Sequence, residues 1–263
     1  MSHMIPFNKY EATGNDFVLI DNRNKIFHGN KNDIALLCNR HLGIGADGLI
    51  LLEQPASTPV MRYFNSDGNE ATMCGNGGRA FIAFLHAHGL TKDTIVFNAV
   101  DGIHNGEIKQ YDDPGNTYTI ILQMSDVESI DEQGSAYFLD TGSPHVVHFF
   151  DSIDGVDVAS LGRAMQQSWQ PGGVNVNFVE QQGSNIYVRT YERGVEAETL
   201  SCGTGVTAAA IASVHKKNDG DYSIVVNTRG GQLNVSFKKR TSHYSNIELK
   251  GDVRLTFTGV YYL

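Results

Sequence analysis

The sequence predicts an α+β protein of two pseudo-symmetric domains, each a strand-rich mixed sheet or barrel wrapped around a buried central helix. Three observations carry this reading. Cys74-Gly75-Asn76-Gly77 and Cys202-Gly203-Thr204-Gly205 are both Cys-Gly-x-Gly, and 202 − 74 = 128. Thr13-Gly14 recurs as Thr141-Gly142, and 141 − 13 = 128. Arg62 and Asn65 correspond to Arg189 and Glu192, each 127 residues later. Landmarks repeated in one order at nearly one spacing mark an internal duplication.

The elements follow from local patterns. Val18-Leu19-Ile20, Leu49 to Leu52, Thr94 to Phe97, Thr117 to Leu122, Val146 to Phe150 and Ile186 to Tyr191 are short β-branched or apolar runs and read as strands. Asp113-Pro114-Gly115-Asn116 reads as a hairpin tip between Ile108 and Tyr118. After each Cys-Gly-x-Gly the pattern turns helical, over Arg79 to His86 and Thr207 to Val214. Both stretches are apolar on nearly every side, so each helix is expected to be enclosed. The domains are expected at 4–124 and 125–251, with the last strand, 252–263, returning to the first.

Composition excludes several classes. A formal net charge of −9 and no basic run longer than Lys238-Lys239-Arg240 argue against nucleic acid as a partner. No apolar run approaches the roughly 18 residues of a membrane helix, and no N-terminal stretch reads as a signal peptide. Met1-Ser2-His3 reads as an expression leftover ahead of a natural start at Met4. Three cysteines with no Cys-x-x-Cys point to free thiols in a reducing cytoplasm. Cys38 falls in the helical apolar run Asp33 to Cys38 and reads as structural. The histidines are scattered and support no metal site.

Cys74 and Cys202 each fall at the expected N-terminus of a helix. There, unsatisfied backbone N–H groups and the macrodipole favour negative charge, which lowers a thiol's pKa from about 8.5 towards neutrality. The same N–H groups suit a carboxylate. Two such elements facing one carboxylate would set a sulfur on either side of its α-carbon. One thiolate then removes the α-proton while the opposing thiol delivers another, inverting the centre.

At these motifs the chain closely resembles the diaminopimelate epimerases. The resemblance runs through Thr13-Gly14-Asn15-Asp16-Phe17, Gly43 to Gly48, Phe64-Asn65-Ser66-Asp67-Gly68 and Met73 to Gly77. It continues through Gly142-Ser143-Pro144-His145, Val174 to Phe178 and Glu192-Arg193-Gly194 to Ser201-Cys202-Gly203-Thr204-Gly205. It implies interconversion of LL- and meso-2,6-diaminopimelate without a cofactor, for lysine and peptidoglycan synthesis, in a homodimer. It also implies that Cys74 and Cys202 are the catalytic pair. Gly75, Asn76, Gly203 and Thr204 would offer N–H groups to the reacting carboxylate. Asn15, Asn65, Asn175, Glu192 and Arg193 would hold the substrate, with Arg193 suited to its distal carboxylate. His145 and Glu192 would support the proton chemistry. Family members often carry Asn where this chain has Ser143, and the Val195 to Thr199 stretch is one residue longer than usual.

Two other readings use the same cysteines. Proline and hydroxyproline racemases resemble this chain, but typically carry His after the first Cys-Gly, where Asn76 stands here. A thiol redox protein would pair Cys74 with Cys202 and leave the Asn, Glu and Arg set without a role.

Overall fold

The computed structural model describes residues 4–54, 56–169 and 172–263; Met1-Ser2-His3 lies outside the described residues. Two compact units are formed, one from the chain up to Leu122 together with Gly251–Leu263, the other from Gln123–Lys250.

The first unit contains β1 (Met4–Ala12), β2 (Asn15–Asp21), α1 (Lys31–Cys38), β3 (Gly48–Glu53), β4 (Val60–Asn65) and β5 (Glu70–Ala71). It continues with α2 (Gly75–Ala87), β6 (Thr94–Ala99), β7 (Gly102–Asp112) and β8 (Thr117–Gln123). The second contains β9 (Asp131–Gln133), β10 (Ala136–Asp140), β11 (Pro144–Phe150), α3 (Val158–Gln167), β12 (Asn175–Gln182), β13 (Asn185–Glu192) and β14 (Ala197–Thr199). Then follow α4 (Gly203–Ala212), β15 (Gly220–Thr228), β16 (Gly231–Arg240) and β17 (His243–Tyr262), whose C-terminal part belongs to the first unit.

The first unit's ladder closes on itself. Pairing runs β1–β2–β3–β4–β6–β7–β8, then through the end of β17 back to β1, with β2–β3 and β4–β6 parallel. Closure removes the sheet edges. The second unit repeats the order: β10–β11 antiparallel, β11–β12 parallel, β12–β13 antiparallel, β13–β15 parallel and β15–β16 antiparallel. A bridge between Val127 and Tyr244 and the β9–β10 pairing extend it. Each parallel pair is bridged by a helix: α1 joins β2 to β3, α2 lies between β4 and β6, α3 joins β11 to β12, and α4 lies between β13 and β15, as parallel strands require.

α2 and α4 are the buried helices. Every residue of α2 from Gly75 to Leu85 is buried, against β1, β2, β3 and β7. Burying Phe81, Ile82, Phe84 and Leu85 completely stabilises the unit by on the order of 2 kcal/mol each. α4 packs against β10 to β13, β15 and β16, with alanines at 208–210 keeping it slender. Both helices start immediately after the cysteine, at glycines that isolated-helix propensity would exclude, because enclosure overrides propensity. α4 stops at Ala212, short of the expected Val214, where Ser213 Oγ donates to Ala210 O at 2.7 Å.

The expected strands lie within β2, β3, β6, β8, β11 and β13. The 113–116 turn joins β7 to β8, with Asp112 opposite Thr117 and Asn116 at φ 48°. Cys38 ends α1 in the first unit's core, and burial pushes its thiol up to about 12.

Candidate active site

Cys74 is the N-cap of α2, in extended backbone (φ −92°, ψ 131°). The helix ladder begins with Gly78 N–H on Cys74 O at 2.7 Å, so the N–H groups of Gly75 and Asn76 precede it. Asn15, at the start of β2, donates from Nδ2 to Asp47 Oδ2 at 2.5 Å. That bond turns Asn15 Oδ1 towards the site, 3.8 Å from Cys74 Sγ and 3.4 Å from Asn76 Nδ2. Asp47 is held by Arg40 (2.7 Å), which also grips Asp16 through both Nη atoms at 2.9 and 2.8 Å. Lys9 bonds the same Asp16 at 2.8 Å. Burial would raise the Asp16 pKa, but Arg40 and Lys9 outweigh it and hold the carboxyl well below the usual range. Asn65 closes β4, its carbonyl accepting from Gly68 N–H at 2.8 Å.

Cys202 is the N-cap of α4 (φ −123°, ψ 114°), and Val206 N–H on Cys202 O at 2.8 Å begins that ladder beyond Gly203 and Thr204. Thr204 Oγ1 lies 3.4 Å from Cys202 Sγ, and Thr204 O accepts from Thr141 Oγ1 at 2.9 Å. Burial pushes the Cys202 thiol well above its ordinary value, and the Glu192 charge and its hydrogen bond push it further; the Thr204 hydroxyl and Gly205 N–H act the other way. The sequence reading expected a lowered thiol pKa here. Desolvation of a fully buried anion exceeds the roughly 0.3–2 kcal/mol that a helix terminus supplies.

Asn175, first residue of β12, donates from Nδ2 to Pro144 O at 3.0 Å and accepts Arg193 N–H on Oδ1 at 2.9 Å. Arg193 donates from Nη1 to the carbonyls of Gly172 (3.2 Å) and Gly173 (3.4 Å). It lines a cavity of about 680 Å³ with Pro144, His148, Phe138 and Trp169. His145 is wholly buried, and burial, then the Arg193 charge, pushes its pKa down to about 3. Among the described residues no three His, Cys, Asp or Glu side chains form a group able to hold a metal.

The second unit thus repeats the first at several positions. Thr13 and Thr141, Asn15 and Ser143, Asp47 and Asn175, Cys74 and Cys202 are all 128 residues apart. Arg62 Nε binds Glu70 Oε1 at 2.8 Å, and Arg189 Nε binds Glu198 Oε1 at 2.7 Å, across equivalent hairpins. A family model described as diaminopimelate epimerase matches residues 7–128 and 137–256. The chain belongs to the diaminopimelate epimerase family.

Curated diaminopimelate epimerases similar to it include that of Flavobacterium psychrophilum, 46% identical over 95% of this chain and 97% of the relative. That of Aquifex aeolicus is 36% identical over 96% of each, and that of Methanocella arvoryzae 39% identical over 89% of this chain and 90% of the relative. Solved structures that share the fold include the following two. A Bacillus anthracis phenazine biosynthesis protein of the PhzF family aligns at TM-score 0.73 and 14% identity, over 99% of both chains. A hydroxyproline epimerase from Agrobacterium vitis aligns at 0.72 and 13%, over 99% of this chain and 93% of the other.

Four side chains at these sites have no role assigned from the sequence, although Asp47 and Asn177 stand inside the motifs. Arg79 is wholly buried on α2, donating to Gly75 O (3.2 Å), Thr13 Oγ1 (2.8 Å) and Asn76 Oδ1 (2.9 Å). Its signal was a lone charge in an apolar helix. Asn177 and Thr190 are buried and bonded to one another, Thr190 Oγ1 donating to Asn177 Oδ1 at 3.0 Å. Asn177 shares a strand face with Asn175 two residues earlier, a legible pairing. Asp47 stands in the Gly43 to Gly48 motif, but only folding brings it to Asn15.

Proposed function

We propose that the chain interconverts LL- and meso-2,6-diaminopimelate, passing one α-proton off to a sulfur and another on from a second sulfur, without a cofactor. The observation that carries this is the pair of cysteines, each the N-cap of a largely buried helix of its unit, in a chain of this family.

Inversion needs a base and an acid on opposite faces of the α-carbon. Cys202 is held as the thiol by burial and by Glu192, which suits it to donate the proton in one direction. Cys74, whose helix carries the buried Arg79 cation, then serves as thiolate base. The Cα–H electron pair passes into the carboxylate as Cys74 Sγ takes the proton, and Cys202 S–H delivers its proton to the other face. The reverse direction exchanges the two roles. N–H groups of Gly75, Asn76, Gly203 and Thr204 aimed at the carboxylate stabilise the charge that builds there, each worth about 3–4 kcal/mol in comparable sites. Arg193 takes the distal carboxylate; Asn15, Asn65, Asn175 and Glu192 supply acceptors for the ammonium groups. The product serves lysine and peptidoglycan synthesis. A homodimer is the assembly favoured by the exposed Met4, Pro6, Val260 and Tyr262 on the paired strands β1 and β17.

The test is incubation of LL-diaminopimelate with reduced enzyme in D₂O. Solvent deuterium at the α-carbon of the product is expected, and Cys74→Ala or Cys202→Ala should lower turnover by at least ~10³-fold. No exchange with any diamino acid, or near-normal turnover of either variant, overturns the proposal.

A further inference from the structure

We propose that Asn177 is a positioning residue: its amide locks His145 as the Nε2–H tautomer and so directs a line of hydrogen-bond donors, through Ser143 and Thr204, onto the sulfur of Cys202. The functional part of this inference rests on Cys202 as the proton-donating thiol; the bonding itself needs no substrate.

Counting protons fixes the direction of each bond from Val146 as far as Thr204. Asn177 Nδ2 lies 3.1 Å from Val146 O and 3.0 Å from His145 Nδ1. A carbonyl only accepts, so the atom facing Val146 is the amide nitrogen, and Thr190 Oγ1 accordingly donates to the amide oxygen. His145 Nδ1 therefore accepts, and a neutral imidazole must carry its proton on Nε2. Nε2 lies 3.0 Å from Ser143 Oγ, which also takes a bond from Asn175 Nδ2 at 3.4 Å. With both lone pairs engaged, the Ser143 proton goes to Thr204 Oγ1 at 3.2 Å. Thr204 Oγ1 keeps its own proton for Cys202 Sγ at 3.4 Å, since the thiol's hydrogen bond to Glu192 leaves the sulfur to accept. The result is one continuous line: Thr190, Asn177, His145, Ser143, Thr204, Cys202.

The duplicated fold does not require this line. At the positions 128 residues earlier the first unit has Phe17 for His145 and Leu49 for Asn177, both buried and apolar. The two helices reflect the difference. A Cβ on Gly205 would lie 2.4 Å from Asn177 Oδ1 and 3.2 Å from Thr190 Oγ1, whereas one on Gly77 would meet only hydrocarbon of Ile50, Met61 and Phe17. The line serves Cys202 alone.

Its chemical effect is on the thiolate. Once Cys202 S–H has passed its proton to the α-carbon, the sulfur is an anion in a buried site beside Glu192. A hydroxyl whose oxygen already accepts a bond is a stronger donor to that anion. Burial keeps His145 neutral next to Arg193, so the line does not switch with pH near neutrality.

The direct test is ¹⁵N NMR of histidine-labelled full-length enzyme, with the His145 signals identified by their loss in His145→Gln. A protonated Nε2 and bare Nδ1, unchanged from about pH 6 to pH 9, are expected. An Nδ1–H tautomer, or titration in that range, overturns the proposal. In Asn177→Asp the carboxylate accepts from Nδ1–H and the tautomer inverts; a folded variant that keeps Nε2–H also overturns it. Thr204→Val removes the last donor and should slow iodoacetamide alkylation of Cys202 by ~10-fold, while Thr204→Ser restores it. Unchanged alkylation in Thr204→Val shows that the line does not reach the sulfur. Deuterium exchange by the unsubstituted enzyme tests the epimerase reading separately.

Discussion

Arg79 donates from Nη2 to Thr13 Oγ1 across 2.8 Å, tying the helix that Cys74 caps to the turn between β1 and β2. Thr13 holds a left-handed backbone there, φ 55°, which an L-residue adopts only when its surroundings demand it. Burial pushes the guanidinium down to about 10, and among the charges that oppose this the Cys74 sulfur acts most strongly. In the other unit the corresponding position is Thr207, whose hydroxyl donates to Gly203 O at 2.9 Å. The duplication thus sets a cation near one cysteine and a neutral hydroxyl near the other.

Arg79→Met should therefore act on one thiol. Alkylation of Cys74 is expected to slow by ~10-fold while that of Cys202 stays within twofold, as followed by mass spectrometry of the labelled peptides. Equal slowing at both cysteines would instead mark Arg79 as purely structural.

Gly205 and Gly77 should respond differently to a methyl group. The Gly205→Ala Cβ would press to 2.4 Å on Asn177 Oδ1, a buried amide bonded on both sides, so a loss of about 1–3 kcal/mol is expected. Gly77→Ala meets the tips of Ile50 and Met61 at 3.3 and 3.4 Å, which yield easily, and gains helix propensity of about 1 kcal/mol. Urea unfolding midpoints compare the two; a Gly77→Ala loss larger than that of Gly205→Ala contradicts the packing described.

Stability should fall with acid through His145. Its pKa is about 3 in the folded chain and about 6.5 unfolded. Above pH 6.5 neither state binds the proton and the full stability is present. Below it the unfolded chain gains a proton that the native imidazole does not, so stability is lost at about 1.4 kcal/mol per pH unit as pH falls towards 3. Between pH 7 and 5 this amounts to about 2 kcal/mol. Unfolding curves of the parent and His145→Gln at the two pH values isolate it; parallel declines would refute a depressed His145.

Arg193→Ala should raise KM for diaminopimelate by about 10–100-fold, with a smaller change in kcat, since charged hydrogen bonds of this kind contribute about 1.5–3 kcal/mol. Arg193→Lys should recover only part of it, because an ammonium lacks the planar fork. An unchanged KM in Arg193→Ala removes this side chain from the substrate.

Much of the architecture was legible in the chain. The strands around Val18, Leu49 and Ile186 declared themselves by short apolar runs, and the two helices by apolar residues on every side. The helix starts were less so: Gly75 to Gly78 suppress local helix propensity, and only enclosure by the surrounding strands makes them helical. The thiol at Cys202 was misjudged for a related reason. A helix N-terminus is visible in sequence, whereas burial and the approach of Glu192 are not.

The sequence by itself determined the duplication, the two capping cysteines and the family, because these depend on residue order and spacing. Only the tertiary structure decided the electrostatics of each cysteine. Asp47 reaches Asn15 across 32 residues of chain and Thr13 reaches Arg79 across 66, and Asn177, His145 and Ser143 reach Cys202 through Thr204. Desolvation and hydrogen-bond direction are properties of where side chains meet, and a repeat spacing does not encode them.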